Sequence, residues 1–184
     1  TVKIGNYQDP SSLVEAMQGI DSVLLISSSD FNDRIGQHKN VIDAAKAAGV
    51  QHIYYTGVAI KDIETSPLKP LLGDHFETEE YIKQSGLTYT FLCNSLYADV
   101  VPMFIGANVL ETGVFFPAGE GKVAFATRND LAKAIAKIVA SNGHENKTYH
   151  LTGSQAHSFS EIASYLSELS GKEVPYISPS SADF

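Results

Sequence analysis

The sequence has few basic residues, one cysteine and no long apolar run. Lys and Arg number 13 against 21 Asp and Glu, and no cluster of basic residues could neutralise the phosphates of a polynucleotide. The single cysteine, Cys93, cannot form an internal disulfide, so we expect a buried thiol in a cytoplasmic protein. No apolar segment approaches the roughly 20 residues of a membrane-spanning helix. We therefore expect neither nucleic acid nor a membrane as a partner.

A glycine-rich nucleotide-binding motif is also missing. The sequence contains no G-x-G-x-x-G turn, which opens a dinucleotide-binding sheet of order 3-2-1-4-5-6. If Val2–Ile4 ends the third strand of such a sheet, the first two strands lie outside this sequence. We therefore expect that about 30 or more upstream residues, at least one βαβ unit, are lacking. Residues 179–184 have the pattern of a helix start, so we expect the C-terminal end to be incomplete as well.

What is present is an α/β pattern, centred on residues 23–26. This segment, Val-Leu-Leu-Ile, is apolar on both faces, which is typical of a parallel strand covered by helices. A helical pattern follows over residues 34–48, stopped by Gly49, and residues 53–55 form a second apolar strand. In open sheets of this kind, ligands bind beyond the carboxyl ends of the strands. The three serines after residue 26 are at such an end.

Strand and helix alternate up to residue 93 and become irregular beyond it. We predict a partial dinucleotide-binding domain over residues 1–93 and a mainly substrate-binding lobe over residues 94–184. The predicted later elements are a loop over 56–72, a helix over 74–84, a strand over 87–92, a hairpin of 114–116 with 123–125, a helix over 129–140, a strand over 148–151, a helix over 158–169 and a strand over 174–177.

Five stretches together resemble one family: LLISSS, GQHKNVIDAAKAAGV, IYYTG, HFETEEYIKQSGLTYTFLCNSLY and GEGKVAFATRNDLAKAIAKIV. They are similar to the NmrA-like, atypical short-chain dehydrogenase/reductase family, and within it to the bacterial NADPH-dependent quinone oxidoreductase type. The resemblance covers nearly the whole chain. It implies a Rossmann-like parallel sheet with a small C-terminal α/β lobe, NADPH (NADP) as cofactor, and a homodimer as a possible assembly.

The resemblance also assigns cofactor-binding positions. Ser27, Ser28 and Ser29 correspond to the end of the family's fourth strand. In the family, this strand end runs beside the adenosine ribose and the pyrophosphate of the cofactor. The loop at the nicotinamide end corresponds to Asn94, Ser95, Leu96 and Tyr97, and a residue that contacts cofactor or substrate corresponds to Arg128. From the residues alone, the serines could equally be capping groups of a loop, and an exposed Arg is more often simply solvated.

His75 is the candidate catalytic residue. Plant isoflavone-reductase-like relatives place a lysine at the corresponding helix start, and a histidine there can also move protons near neutral pH. Against this, His75 and Glu79 are one helical turn apart, which is also the spacing of a simple surface pair. The other histidines, at 38, 52, 144, 150 and 157, lack metal-ligand spacing, and we predict no metal.

The predicted function is hydride transfer from NAD(P)H to a quinone-like small molecule. The Tyr-x-x-x-Lys pair that supplies protons in ordinary dehydrogenases is absent, and a quinone needs less help because aromatisation drives its reduction. Phe104, Phe116 and Tyr97 could form apolar walls for a flat acceptor or could simply be core. The alternative is a redox sensor that binds dinucleotide without turnover; a reductase or epimerase of another small substrate is a third possibility.

Overall fold

The computed structural model describes residues 1–180 and 182–184, which form seven α-helices and eight β-strands. The helices are α1 (Pro10–Ala16), α2 (Arg34–Ala47), α3 (Lys69–Ser85), α4 (Val101–Ile105), α5 (Val109–Thr112), α6 (Arg128–Val139) and α7 (Phe159–Ser170). The strands are β1 (Ser22–Leu25), β2 (His52–Val58), β3 (Thr88–Asn94), β4 (Val114–Phe115), β5 (Lys122–Val123), β6 (Lys147–Leu151), β7 (His157–Ser158) and β8 (Tyr176–Ile177).

Four of the strands form a parallel sheet in the order β1-β2-β3-β6. The register aligns Leu25 with Tyr55 and Tyr55 with Phe91, so that their side chains share one face. Helices α2 and α3 connect successive parallel strands, as parallel pairing requires. The predicted α/β class with a Rossmann-like parallel sheet is confirmed.

The main core lies between this sheet face and the helices α1, α2 and α3. Ala44 and Ala45 are buried on α2, because side chains of this size let the helix lie close to the strands. Cys93 is buried, as predicted. Burial of each large apolar side chain contributes about 1.5–3 kcal/mol. The largest buried members of the core are Leu25, Ile42, Ile53, Tyr55, Ile82 and Phe91.

The chain divides into two compact units, of which the first comprises Thr1–Asn94 and Lys133–Leu151 and the second comprises Ser95–Ala132 and Thr152–Phe184. The division differs from a single boundary near residue 93. Strand β6 pairs with β3, from Thr90↔Lys147 to Asn94↔Leu151, so the chain returns to the first unit after leaving it. A division of the sequence at a single residue cannot describe a unit that is made of two separate segments.

The second unit has its own small core, built on α7 and two short strand pairs. Val114 and Phe159 are buried there with Ala163 and Val174. The N-terminus of α7 carries the capping box of Ser158 and Glu161, in which each side chain accepts the other residue's backbone N–H.

The predicted hairpin of 114–116 with 123–125 is wrong. Strand β4 pairs in parallel with β8, and β5 pairs antiparallel with β7. The turn that suggested the hairpin exists, because the Gly121 N–H donates to the Ala118 carbonyl at 3.0 Å. The two flanking segments nevertheless pair with strands that come much later in the chain, as Lys122↔Ser158 and Val114↔Tyr176 show.

The predicted loop over residues 56–72 is too long. Strand β2 continues to Val58, and α3 begins at Lys69 rather than near Asp74. Pro70, which suggested a loop, is in the first turn of α3, where a missing N–H costs no hydrogen bond.

The expected strand end at Val2–Ile4 is also absent. Both of these side chains are exposed, and no described strand pairs with them. The predicted helix start at 179–184 includes Ser181, which lies outside the described residues. Among the residues that are described, no helix is long and apolar enough to cross a membrane.

Candidate functional site

The carboxyl ends of β1, β2 and β3 gather small and polar residues at one edge of the sheet. The Ser27 N–H donates to the Thr56 hydroxyl at 2.8 Å, which links the residues that follow β1 to β2. At the end of β3, the Asn94 carbonyl accepts the Ala59 N–H at 2.8 Å. Parallel pairing places these strand ends together, so the predicted residues Ser27 and Asn94 belong to one edge.

The three predicted cofactor-binding serines have different surroundings. Ser27 is half-buried against Thr56, Ser28 is half-buried against α2, and Ser29 is exposed. The Ser28 hydroxyl donates to Gln37 Oε1 at 2.7 Å and accepts the Asp30 N–H at 3.1 Å. Ser28 therefore shapes the loop, while Ser29 is the member of the three that is open to a ligand.

His75 is buried on α3, where its Nδ1 lies 2.8 Å from the hydroxyl of the fully buried Tyr55. The Thr78 side chain also hydrogen-bonds to the Tyr55 hydroxyl, so Tyr55 links His75 and Thr78, two residues of α3. The other ring nitrogen of His75, Nε2, has no hydrogen-bond partner among the described residues, and it carries the imidazole proton in the tautomer in which Tyr55 donates to Nδ1.

The electrostatic environment keeps both members of this pair neutral. Burial, followed by the nearby Arg34 guanidinium, lowers the pKa of His75 to about 4. Burial also raises the pKa of Tyr55, so its hydroxyl keeps its proton. At neutral pH the pair thus presents an uncharged imidazole, which donates a hydrogen bond through Nε2–H in the tautomer in which Nδ1 accepts from Tyr55.

The alternative interpretation of His75 and Glu79 as a surface pair is wrong. His75 is only 8% exposed, and Glu79 Oε1 lies 3.7 Å from Cys93 Sγ. The same carboxylate fills the space beside Gly57, where an added Cβ would approach it to 2.9 Å. Glu79 is therefore an inward-facing carboxyl, and burial raises its pKa.

Two residues of α2 at this edge were missed by the sequence analysis. His38 is fully buried, and its Nε2 accepts the Ser28 N–H at 2.9 Å. Arg34 is also buried, and its Nε donates to the Ser28 carbonyl at 2.9 Å. The available signal was their spacing: two polar residues four positions apart, on a helix that starts five residues after the serines, occupy the same helix face.

The remaining predicted residues lie in the second unit. Ser95 is buried and Leu96 is exposed, and a bridge joins Tyr97 to Ala126. The Arg128 guanidinium lies over the Tyr97 ring, 4.9 Å from its centre. The structure therefore brings Tyr97 and Arg128 together, and this cation–π contact orients the arginine side chain.

The aromatic residues predicted as possible acceptor walls are largely core. Phe116 lies 5.3 Å from Phe104 and 4.4 Å from Phe159, measured between ring centroids. All three rings pack with the core cluster of the second unit. This supports the interpretation as core for Phe104 and Phe116.

The donor set of the first unit's edge suits an anionic, hydroxyl-rich ligand. Hydroxyls and backbone groups predominate, and the buried Arg34 guanidinium lies 4.0 Å from the Asp74 carboxylate. Two carboxylates, Asp30 and Asp33, lie between β1 and α2, and Asp30 is already engaged by the Gln37 amide at 2.7 Å and the Asn32 N–H at 3.0 Å. These residues fit the ribose and phosphate portion of a dinucleotide. No group of three metal-ligand side chains occurs in the described part of the chain.

A parallel α/β sheet with such an edge defines the class of Rossmann-like nucleotide-binding proteins. Sequence comparison makes the assignment narrower: the profile of the NmrA-like family matches residues 1–182, so the chain belongs to this family, as its motifs predicted.

Individual relatives agree with the family assignment. Quinone oxidoreductase 2 of Escherichia coli K12 is 45% identical in an alignment of 185 positions that covers 100% of this chain and 63% of that protein. The crystal structure of an E. coli NADPH-dependent quinone oxidoreductase with NADPH has a TM-score of 0.92 at 42% identity, covering 100% of this chain and 64% of its own. A Citrobacter sp. triphenylmethane reductase complexed with NADP(H) has a TM-score of 0.87 at 40% identity, and the match covers 99% of this chain and 64% of the reductase chain. The chain thus spans somewhat less than two thirds of these relatives.

Proposed function

We propose that the protein is an NADPH-dependent oxidoreductase that transfers hydride to a quinone-like acceptor. The observation that carries this proposal is the 45% identity with quinone oxidoreductase 2 along the whole chain. The solved relatives with 40% identity or more that bind NADPH or NADP(H) support the choice of this cofactor. A cytoplasmic location and a homodimer stay predictions.

The residues of the first unit have distinct roles in this proposal. When bound, the nicotinamide supplies the hydride. Ser27, Ser28 and Ser29 form one wall for the ribose and pyrophosphate, and Asn94 lies toward the nicotinamide end. The cofactor roles of Ser95, Leu96, Tyr97 and Arg128 in the second unit stay predictions from the family resemblance.

In the same proposal, His75 is the catalytic residue. Its Nε2–H donates a hydrogen bond to the acceptor oxygen on which negative charge develops. A neutral imidazole is suited to this task, since it can polarise a carbonyl without first losing a proton. Tyr55 supports it by holding Nδ1 at 2.8 Å and so fixing the ring. A quinone requires little more, because aromatisation favours reduction and water can deliver the remaining proton.

The test is oxidation of NADPH by the purified protein in the presence of simple quinones such as benzoquinone. We expect quinone-dependent loss of NADPH absorbance, with NADH as the comparison cofactor. Stoichiometric binding of NADPH without turnover of any quinone would overturn the proposal and favour the dinucleotide-dependent regulator.

A further inference from the structure

Helix α2 holds every polar atom of Ser28. The peptide N–H donates to His38 Nε2 at 2.9 Å, the carbonyl accepts from Arg34 Nε at 2.9 Å, and the hydroxyl donates to Gln37 Oε1 at 2.7 Å. Three side chains within five residues of one helix thus fix a single residue of the loop after β1. We call Arg34, Gln37 and His38 the Ser28 clamp.

The clamp is buried, which makes it costly unless its hydrogen bonds are complete. Arg34, Gln37 and His38 are 4%, 5% and 0% exposed. A buried guanidinium carries a large desolvation penalty, and the hydrogen bonds of Arg34 together with its ion pair to Asp74 at 4.0 Å offset it. Arg34 uses a second N–H to reach the Leu71 carbonyl at 3.0 Å, so it also ties the loop to the first turn of α3.

The hydrogen bonds of His38 fix its tautomer. A peptide N–H can only donate, so Nε2 must be the unprotonated acceptor and Nδ1 must carry the proton. Nδ1 lies 2.8 Å from the Thr78 hydroxyl, which in turn donates to the Asp74 carbonyl at 2.7 Å. The clamp therefore requires a neutral His38 and extends through α3.

The groups around His38 all favour this neutral form. From its own helix it faces the Arg34 guanidinium, from α3 it faces His75 and Thr78, and from β2 it faces the Tyr55 ring edge at 5.5 Å between centroids. Burial, followed by His75 and Arg34, lowers the pKa of His38 to about 4. At neutral pH the acceptor for the Ser28 N–H is thus always available.

We propose that His38, with Arg34 and Gln37, is a positioning residue that holds the Ser27–Ser29 loop in its ligand-binding shape before the dinucleotide arrives. This inference rests on the proposed function, because that function supplies the ligand. Its physical basis is preorganisation: a loop that is already ordered does not lose conformational freedom on binding. Ser29, the exposed serine, is then presented on a fixed backbone.

The test compares His38→Phe with a matched control, His52→Phe. His52 also contacts a threonine hydroxyl, at 2.8 Å from Thr90, but at the opposite end of the sheet. We expect His38→Phe to raise the Kd for NADPH about tenfold while kcat at saturating NADPH changes less than about twofold. His38→Gln, whose amide can accept the Ser28 N–H, should restore most of the affinity, and His52→Phe should bind as the wild type does.

A second readout is hydrogen exchange of the amides at 27–30, which is measured without ligand. Loss of the clamp should accelerate exchange of the Ser28 amide about tenfold or more. Gln37→Leu removes the contacts of the Gln37 amide with the Ser28 hydroxyl and the Asp30 carboxylate but keeps those of His38 and Arg34 with Ser28. It should have a smaller effect in the same direction, and it replaces His38→Phe as the test if that variant does not fold. Unchanged exchange in these variants would overturn the inference. Failure of the wild type to bind NADPH would instead overturn the proposed function, and the exchange result would still decide whether the clamp holds the loop.

Discussion

A histidine in contact with a threonine hydroxyl lies near each end of the four-stranded sheet, but the two histidines differ in burial and in their charged neighbours. At the amino end, His52 Nε2 lies 2.8 Å from the Thr90 hydroxyl. At the carboxyl end, His38 Nδ1 lies 2.8 Å from the Thr78 hydroxyl. His52 is half-buried and has Glu145 as its charged neighbour, whereas His38 is fully buried.

The charged groups near His38 and His52 also differ. Burial lowers the pKa of His52, and the carboxylate of Glu145 opposes that effect. Burial also lowers the pKa of His38, but there His75 and Arg34 add to the effect and bring it to about 4. The carboxyl end therefore combines two neutral imidazoles with the buried Arg34 guanidinium, which is paired with Asp74 at 4.0 Å, whereas the histidine of the amino end lies near the carboxylate of Glu145.

We expect the largest difference between the two ends in how much their histidines change the free energy of unfolding at acidic pH. His38 and His75 have folded-state pKa values of about 4, below the ordinary 6.5, so the unfolded chain binds more protons between these values. The free energy of unfolding should therefore fall as the pH falls from 6.5 to 4. The expected loss is roughly 3 kcal/mol for each of the two histidines.

Urea denaturation at a series of pH values measures this loss. His38→Gln and His75→Gln should each flatten the pH dependence, because a glutamine does not titrate. His52→Gln is the matched control and should flatten it less, since His52 is partly exposed. Equal slopes for the wild type and both carboxyl-end variants would contradict the assignment of low pKa values to this end.

The second prediction concerns catalysis at the carboxyl end. His75→Phe should lower kcat for quinone reduction about 10²-fold, the scale of one hydrogen-bond donor to a developing oxyanion, with little change in the Kd for NADPH. His75→Gln keeps an N–H donor and should retain part of the activity. Steady-state kinetics with NADPH and benzoquinone measure both effects, and a wild-type kcat for His75→Phe would remove this residue from the chemistry.

Sequence reasoning predicted the parallel sheet because this feature depends on local patterns. The apolar run at 23–26, the alanines of α2 and the following strand each point to the same fold. It failed where partners are distant in sequence: the strand partners of β4 and β5, and the return of Lys133–Leu151 to the first unit.

The site was predicted less completely than the fold, for the same reason. The serines and Asn94 follow strands and could be placed at the edge. The partner of His75 could not be found, because Tyr55 is 20 residues away and is apolar in pattern. His38 was passed over because its role is to bind a backbone N–H, and no side-chain motif marks such a contact.

The smallest predicted effect contrasts two carboxyl groups. Burial raises the pKa of Glu79, which faces Cys93, despite opposing effects of the Cys93 hydrogen bond and of Lys83. At the amino end, the pKa of Glu145 is lowered, first by a hydrogen bond from the backbone N–H of Glu145 itself and then also by His52 and His144. A carboxyl with a raised pKa stabilises the fold most when it is protonated, so its contribution is lost as the pH rises.

Glu79→Gln should therefore raise the free energy of unfolding at neutral pH by about 1 kcal/mol, the scale of one buried polar group that no longer carries charge. The difference from the wild type should shrink as the pH falls and the wild-type carboxyl becomes protonated. Glu145→Gln should act in the opposite direction, because it removes a carboxylate that the folded state favours. Denaturant titrations at neutral and acidic pH measure both variants. If Glu79→Gln were less stable than the wild type at neutral pH, Glu79 would be a favourable charge at the carboxyl end, and the two ends would differ in their histidines alone.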